Sequence, residues 1–164
     1  MYKVMLFGSG TLPAITQEVA NAILALNMQG DCQFMLGDGR TVDQAYNEFL
    51  SRAGLTEKSV VYGIQSVRNN KYSHPEQPLQ VVYDSENKVV RVELNGITVH
   101  KEYGVEDLEK FTQSPKWGMI LEKALARMCD IAICAWDGKT KNQASIMDFL
   151  SIIGKPCYIY KIEI

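Results

Sequence analysis

The stretch Asp130-Ile-Ala-Ile-Cys-Ala-Trp-Asp137-Gly138-Lys139-Thr140-Lys141-Asn142 passes from a run of small and apolar residues directly into a polar loop. A short apolar run bounded by Asp and Gly fits a strand covered on both faces, and Gln143 to Ile152 then repeats its apolar positions with the period of a helix. Strand, polar loop and helix form the kind of junction at which open α/β sheets hold their ligands. The stretch therefore predicts an α/β fold with a ligand edge at the carboxyl ends of its strands.

Working back to the beginning of the chain, Tyr2 to Phe7 reads as a first strand that ends in Gly8-Ser9-Gly10-Thr11. Pro13 is expected in the first turn of a helix, where its missing N–H costs nothing. Ile15, Val19, Ala22, Ile23 and Leu26 then give that helix one apolar face. On this reading the glycine turn opens onto a helix N-terminus, whose free N–H groups and dipole favour an anion. A tight strand-to-helix turn with no ligand explains the same residues. There is no complete G-x-G-x-x-G and no Walker lysine.

The logic repeats. Cys32 to Leu36 is a strand, Gly37-Asp38-Gly39-Arg40 a loop, and Thr41 or Val42 begins a helix that carries Asp43 in its first turn and stops at Gly54. Ser59 to Gly63 is a third strand. Alternation of this kind predicts a Rossmann-like parallel sheet with right-handed crossovers, so that the loops after residues 7, 36, 62 and 135 gather at one end.

Residues 66 to 112 break the pattern and read as an insertion within a single domain spanning residues 1 to 164. After the polar segment from Ser66 to Pro78, two alternating runs, Leu79 to Tyr83 and Lys88 to Leu94, flank Asp84-Ser85-Glu86-Asn87 as a β-hairpin. Ile97 to Val99 follows the Asn95-Gly96 turn as a further strand. A lid, a dimerisation arm and a decorated sheet edge all fit this block. From Lys116 to Met128 a helix resumes, with Trp117, Ile120, Leu121, Ala124, Leu125 and Met128 on one side. Cys157 to Ile162 closes the sheet after Gly154-Lys155-Pro156.

Composition narrows the function classes. A length of 164 residues suits one domain with a proper core, and a net charge of −2 gives no general attraction to nucleic acid or an anionic membrane. The amino-terminal apolar run is too short for a secretory signal and no run approaches a membrane span, so a cytoplasmic protein is expected. Cys32, Cys129, Cys134 and Cys157 lack CxxC spacing, three of them lie in predicted strands, and His74 and His100 sit elsewhere. The expectation is reduced, buried thiols, with no metal and no cofactor.

In order, Phe7-Gly8-Ser9-Gly10, Leu36-Gly37-Asp38-Gly39-x-x-x-Asp43-x-Ala45, Arg68-Asn69-Asn70, Ala132 to Lys141 and Gly154-Lys155-Pro156 resemble the SLOG superfamily. These are Rossmann-like nucleotide-ligand proteins related to the LOG phosphoribohydrolases, the DNA-processing protein A domain and the molybdenum cofactor carriers. The likeness is to small bacterial and phage members and covers roughly residues 1 to 70 and 113 to 162. It implies a pocket for a nucleotide-like small molecule lined by Gly8, Ser9 and Gly10, by Gly37, Asp38 and Gly39, and by Asp137, Gly138, Lys139, Thr140 and Lys141. In the anion-binding reading of the first glycine loop, Ser9 and Thr11 offer hydroxyl donors. Arg68 and Asn69 match the family's polar segment after the third strand.

The chain also departs from that pattern. Gly10 stands where the family usually has arginine, and Asn142-Gln143 where a small Gly-Thr often follows. The Pro-Gly-Gly-x-Gly-Thr-x-x-Glu signature of the LOG enzymes is absent. The similar deoxyribosyltransferases carry a nucleophilic glutamate eight residues before Gly-Lys-Pro, where this chain has Ile146. Asp148 is two residues further along the helix, turned away by roughly 200°.

Three readings therefore stand. In the first, the chain binds a nucleotide-derived molecule, with phosphate near the glycine turns, Lys139 or Lys141 as counter-charge, Asp38 or Asp137 on hydroxyls, and Trp136 as a stacking wall. In the second it is an N-glycosidase or deoxyribosyltransferase-like enzyme with Asp137 or Asp38 as the catalytic carboxylate. The third, a module for single-stranded nucleic acid or protein, is disfavoured by the acidic balance and the lack of basic-aromatic clustering. By analogy with other small α/β domains, a homodimer is a further expectation.

Overall fold

The computed structural model describes residues 1–39, 41–64, 74–101, 107, 110–111 and 115–162 of the chain. Its strands are β1 (Tyr2–Gly8), β2 (Cys32–Leu36), β3 (Ser59–Ile64), β4 (His74–Tyr83), β5 (Val89–Leu94), β6 (Ile97–Lys101), β7 (Ile131–Trp136) and β8 (Cys157–Lys161). The helices are α1 (Gln17–Gln29), α2 (Val42–Arg52), α3 (Pro115–Met128) and α4 (Lys141–Ile152). All eight strands join one sheet in the order β6-β5-β4-β3-β2-β1-β7-β8.

Five of them, β3-β2-β1-β7-β8, form the parallel sheet that the strand-helix alternation predicts. The sequence reaches β3 by stepping outward in one direction from β1, then returns to place β7 on the other side of β1. That reversal lies at the carboxyl ends of β1 and β7, the position at which open α/β sheets generally take their ligands.

Strand periodicity sorts the core into two layers. Val4 and Leu6 of β1 face α1 and α2, packing with Val19, Ile23, Tyr46 and Leu50. Met5 and Phe7 point the other way, toward Leu121, Leu125, Ile146 and Leu150 of α3 and α4. Both faces of β1 and β7 are thus covered, which is why these strands read as almost unbroken apolar runs.

The insertion is built as a continuation of the sheet. The first half of β4 pairs parallel with β3, and its second half pairs antiparallel with β5, which in turn pairs with β6. Leu79 opposite Leu94 and Val81 opposite Val92 set the hairpin register. Asp84 braces the turn by accepting from the N–H groups of Glu86 and Lys88. A Lys88–Asp107 ion pair of 2.7 Å ties the hairpin to the chain that follows it. Among the described residues this block extends one edge of the sheet.

The start of α1 departs from the expectation. Pro13 and Ile15 precede the helix, which begins at Gln17 with Thr16 as its N-cap, the hydroxyl accepting from the Val19 N–H at 3.4 Å. A threonine cap supplies an acceptor that Pro13 does not. Leu12, 2% exposed, anchors the intervening loop in the core, and its N–H donates to the Ser9 carbonyl at 3.1 Å. The glycine turn and the helix N-terminus are therefore separated by a short ordered loop. The last two helices begin two residues or less from their expected starts, and α2 begins at Val42 as predicted.

Candidate functional site

Gly8 allows β1 and β7 to approach closely at their carboxyl ends. It pairs with Ala135, and a Cβ added to it would lie 2.4 Å from the Ala135 carbonyl oxygen. Glycine is thus required where β1 and β7 approach just before their loops diverge. The next residue, Ser9, is fully buried. Its N–H donates to the Ala135 carbonyl, its hydroxyl accepts from the Asp137 N–H at 3.0 Å, and that hydroxyl lies 2.8 Å from the Thr140 hydroxyl. One short side chain thereby fixes both loops.

The Asp137–Thr140 loop is closed from within. The Asp137 Oδ1 accepts from the N–H groups of Lys139 and Thr140 at 2.8 Å each and from the Thr140 hydroxyl at 3.2 Å. Its Oδ2 lies 3.4 Å from the Thr11 hydroxyl that donates to it. The Thr140 and Lys139 backbone bonds hold this carboxyl below the ordinary aspartate range, so it stays ionised. The Trp136 indole N–H donates to the Thr140 carbonyl at 3.0 Å, which packs the ring against its own loop. Gly138 has φ of +80° and lies under the Lys161 side chain. Lys139 and Lys141 are exposed, and Gly10 has open space where a side chain would project.

On the other side of β1, the Gly37–Gly39 loop wraps around Asp43. The Gly39 N–H donates to Asp43 Oδ2 at 2.9 Å, and a Cβ on Gly37 or Gly39 would come within 3 Å of that same oxygen. Asp38 is 8% exposed. Burial, opposed by the Gly39 bond and reinforced by the Asp38 charge, pushes the Asp43 carboxyl up to about 6. Tyr46, one turn on, donates its hydroxyl to the Phe7 carbonyl at 2.9 Å and joins α2 to the end of β1.

Two further residues belong to this end of the sheet and were not singled out from the sequence. Glu122 of α3 has its carboxyl in the interior, where desolvation and the Asp43 charge push it up to about 8. Its charge also reaches Cys134 of β7, whose thiol burial holds far above the ordinary range. Gln143, in the first turn of α4, is 7% exposed, and its carboxamide has no hydrogen-bond partner among the described residues. A signal for both existed in helical spacing. Glu122 precedes the buried Ala126 and Cys129 at intervals of four and seven, and Gln143 precedes Ile146 and Leu150 at three and seven.

The fold thus brings the Gly8–Thr11 and Asp137–Thr140 loops into direct contact, with the Gly37–Gly39 loop on the neighbouring strand. Arg68 and Asn69 lie outside the described residues. No group of His, Cys, Asp or Glu among the described residues is arranged to hold a metal ion. None of the described helices is long and apolar enough to cross a membrane.

The parallel strand order with its reversal between β1 and β7 defines a Rossmann-like α/β protein. Compared with protein-family models, curated proteins and solved structures, the chain matches none.

Proposed function

We propose that the chain binds a nucleotide or nucleotide-derived small molecule in the crevice at the carboxyl ends of β1, β2 and β7. The observation that carries this reading is the Ser9–Thr140 contact across the reversal of strand order. It holds side by side two loops that carry the exposed Gly10, Thr11, Lys139 and Lys141, at the position where open α/β sheets take their ligands. Gly10 leaves room for a phosphate to approach the backbone, and the exposed Lys139 and Lys141 offer counter-charge. The SLOG-like order of motifs supports the same ligand class. Asp137, with Oδ1 committed to its own loop, acts here as an ionised brace whose Oδ2 faces Thr11. A thermal-shift panel of nucleotides and nucleosides tests the reading, since a ligand that binds only the folded chain must raise its melting temperature.

A second reading, N-glycosidic cleavage or deoxyribosyl transfer, is supported by a different observation. Asp43 is held in the Gly37–Gly39 loop by the Gly39 N–H at 2.9 Å, where burial raises its carboxyl to about 6, and burial together with the Asp43 charge raises that of Glu122 to about 8. A carboxyl still protonated at neutral pH can donate to a departing base, and one titrating lower can act as its conjugate partner. On this reading the pair takes the catalytic part, with Asp38 beside Asp43 and Asp137 holding its loop. Release of free base from a nucleoside panel, lost in Glu122→Gln, is the corresponding measurement.

A further inference from the structure

A separate recess lies away from the strand-end loops, between β6 and the outer surfaces of α3 and α4. It has a volume of about 230 Å³ and is lined by Val99, His100, Met119, Ile120, Lys123, Arg127 and Phe149. Its chemistry is divided. Val99, Met119, Ile120 and the Phe149 ring supply an apolar wall, and two cations stand beside that ring. Lys123 Nζ is 5.7 Å from the Phe149 centroid and Arg127 Cζ is 5.1 Å from it.

Lys123 and Arg127 are one helical turn apart on α3, a spacing at which like charges repel. Neither side chain has an ion pair or hydrogen bond among the described residues. This is unusual on a chain of net charge −2, where carboxylates outnumber cations. Contact with the ring face favours each cation but does nothing to neutralise the pair. What the pair lacks is an anion. The wall beside it favours an anion with an apolar body, because a bare inorganic ion would leave that surface wet.

We propose that this recess is a second binding site, for a small organic anion whose head group, a carboxylate or phosphate, lies between Lys123 and Arg127 and whose apolar body rests on Phe149, Met119 and Val99. Size limits the body. A cavity of roughly 150 Å³ holds a benzene ring, so one aromatic ring or a short alkyl chain fits beside the head group and a nucleotide does not. The site is independent of the strand-end crevice and of whatever binds there.

The test uses phenyl phosphate and benzoate as probes, titrated into the full-length protein while backbone amide signals are followed by nuclear magnetic resonance. Saturable shifts centred on Val99, His100, Lys123 and Phe149 are expected. Inorganic phosphate and benzyl alcohol, each carrying half of the chemistry, should bind at least ten-fold more weakly. The double variant Lys123→Gln/Arg127→Gln should lose at least ten-fold in affinity with an unchanged circular dichroism spectrum. Should that variant fail to fold, Arg127→Gln alone, at an exposed position, should still lose several-fold. Shifts confined to the Ser9 and Thr140 loops, equal affinity for inorganic phosphate, no saturable binding, or unaltered affinity in the folded variant would each overturn the proposal.

Discussion

The hydroxyls of Ser9 and Thr140 lie 2.8 Å apart, although 131 residues separate them in the chain. Ser9 also accepts from the Asp137 N–H and is wholly buried, so loss of its hydroxyl leaves that backbone donor without its acceptor and breaks the link to Thr140. Ser9→Ala should therefore destabilise the protein by about 1–3 kcal/mol. Urea denaturation monitored by tryptophan fluorescence measures this directly. A change below a few tenths of a kcal/mol would mean that the two loops are held by other contacts.

Gly8 and Gly10 are two residues apart and should respond in opposite ways to a methyl group. At Gly8 the added carbon meets the Ala135 carbonyl at 2.4 Å, and β1 and β7 must separate to admit it. At Gly10 it meets nothing within 4 Å. Gly8→Ala should cost on the order of 1–3 kcal/mol or more, as overpacking between fixed backbones does. Gly10→Ala should leave the melting temperature nearly unchanged. Equal effects at the two positions would contradict the close approach of the strands.

Acidity should act on this fold through Asp43 and Glu122. Both carboxyls are raised in the folded chain, from 3.8 to about 6 and from 4.5 to about 8. Between those values the folded state binds more protons than the unfolded state, so the contribution of these groups is complete below about pH 4 and is lost as pH rises to 8. Glu122→Gln should flatten the upper part of this dependence. At pH 9 it should be more stable than the parent by on the order of 2 kcal/mol, allowing for partial exposure of the residue. Urea titrations at pH 5, 7 and 9 decide the matter, and a parent curve that gains stability from 7 to 9 while the variant does not would reverse the sign.

Asp137 should behave in the opposite sense. Its carboxyl is lowered by the Thr140 and Lys139 N–H groups, so the support it gives its loop is present above the ordinary aspartate pKa and is lost as pH falls through the lower, folded value. Asp137→Asn keeps an acceptor oxygen for the turn and should preserve the fold, whereas Asp137→Ala should loosen the loop. Amide exchange at Lys139 and Thr140 reports the difference. Equal exchange rates in the two variants would remove the bracing role.

Much of this architecture was legible because strand and helix periods are local. The apolar run from Ile131 to Ala135, the alternation along Leu79–Tyr83 and Val89–Leu94, and the left-handed Gly54 that ends α2 each announce their element from a few neighbouring residues. The first helix was misjudged at its start because Pro13 and Thr16 both carry helix-initiating chemistry. The hydroxyl that satisfies the Val19 N–H prevailed over the ring that merely tolerates the position. The pairing of the Ser9 and Thr140 loops depends on strand order, a long-range property that no window contains. Glu122 reads in the sequence as one of several charges on α3. Its helical spacing of four and seven from the buried Ala126 and Cys129 is the one local sign that it faces inward.

The central claim is that a nucleotide-like ligand occupies the crevice over Gly10. Calorimetric titration of the best stabiliser from a nucleotide panel, into the parent and into Gly10→Glu, tests it most directly. Gly10 has open space around it, so the variant should fold with an unchanged melting temperature while placing a carboxylate where the phosphate would lie. The account predicts saturable binding to the parent and a loss of at least ten-fold in Gly10→Glu. Equal affinity in parent and variant, or no heat and no thermal shift with any nucleotide or nucleoside, would contradict it.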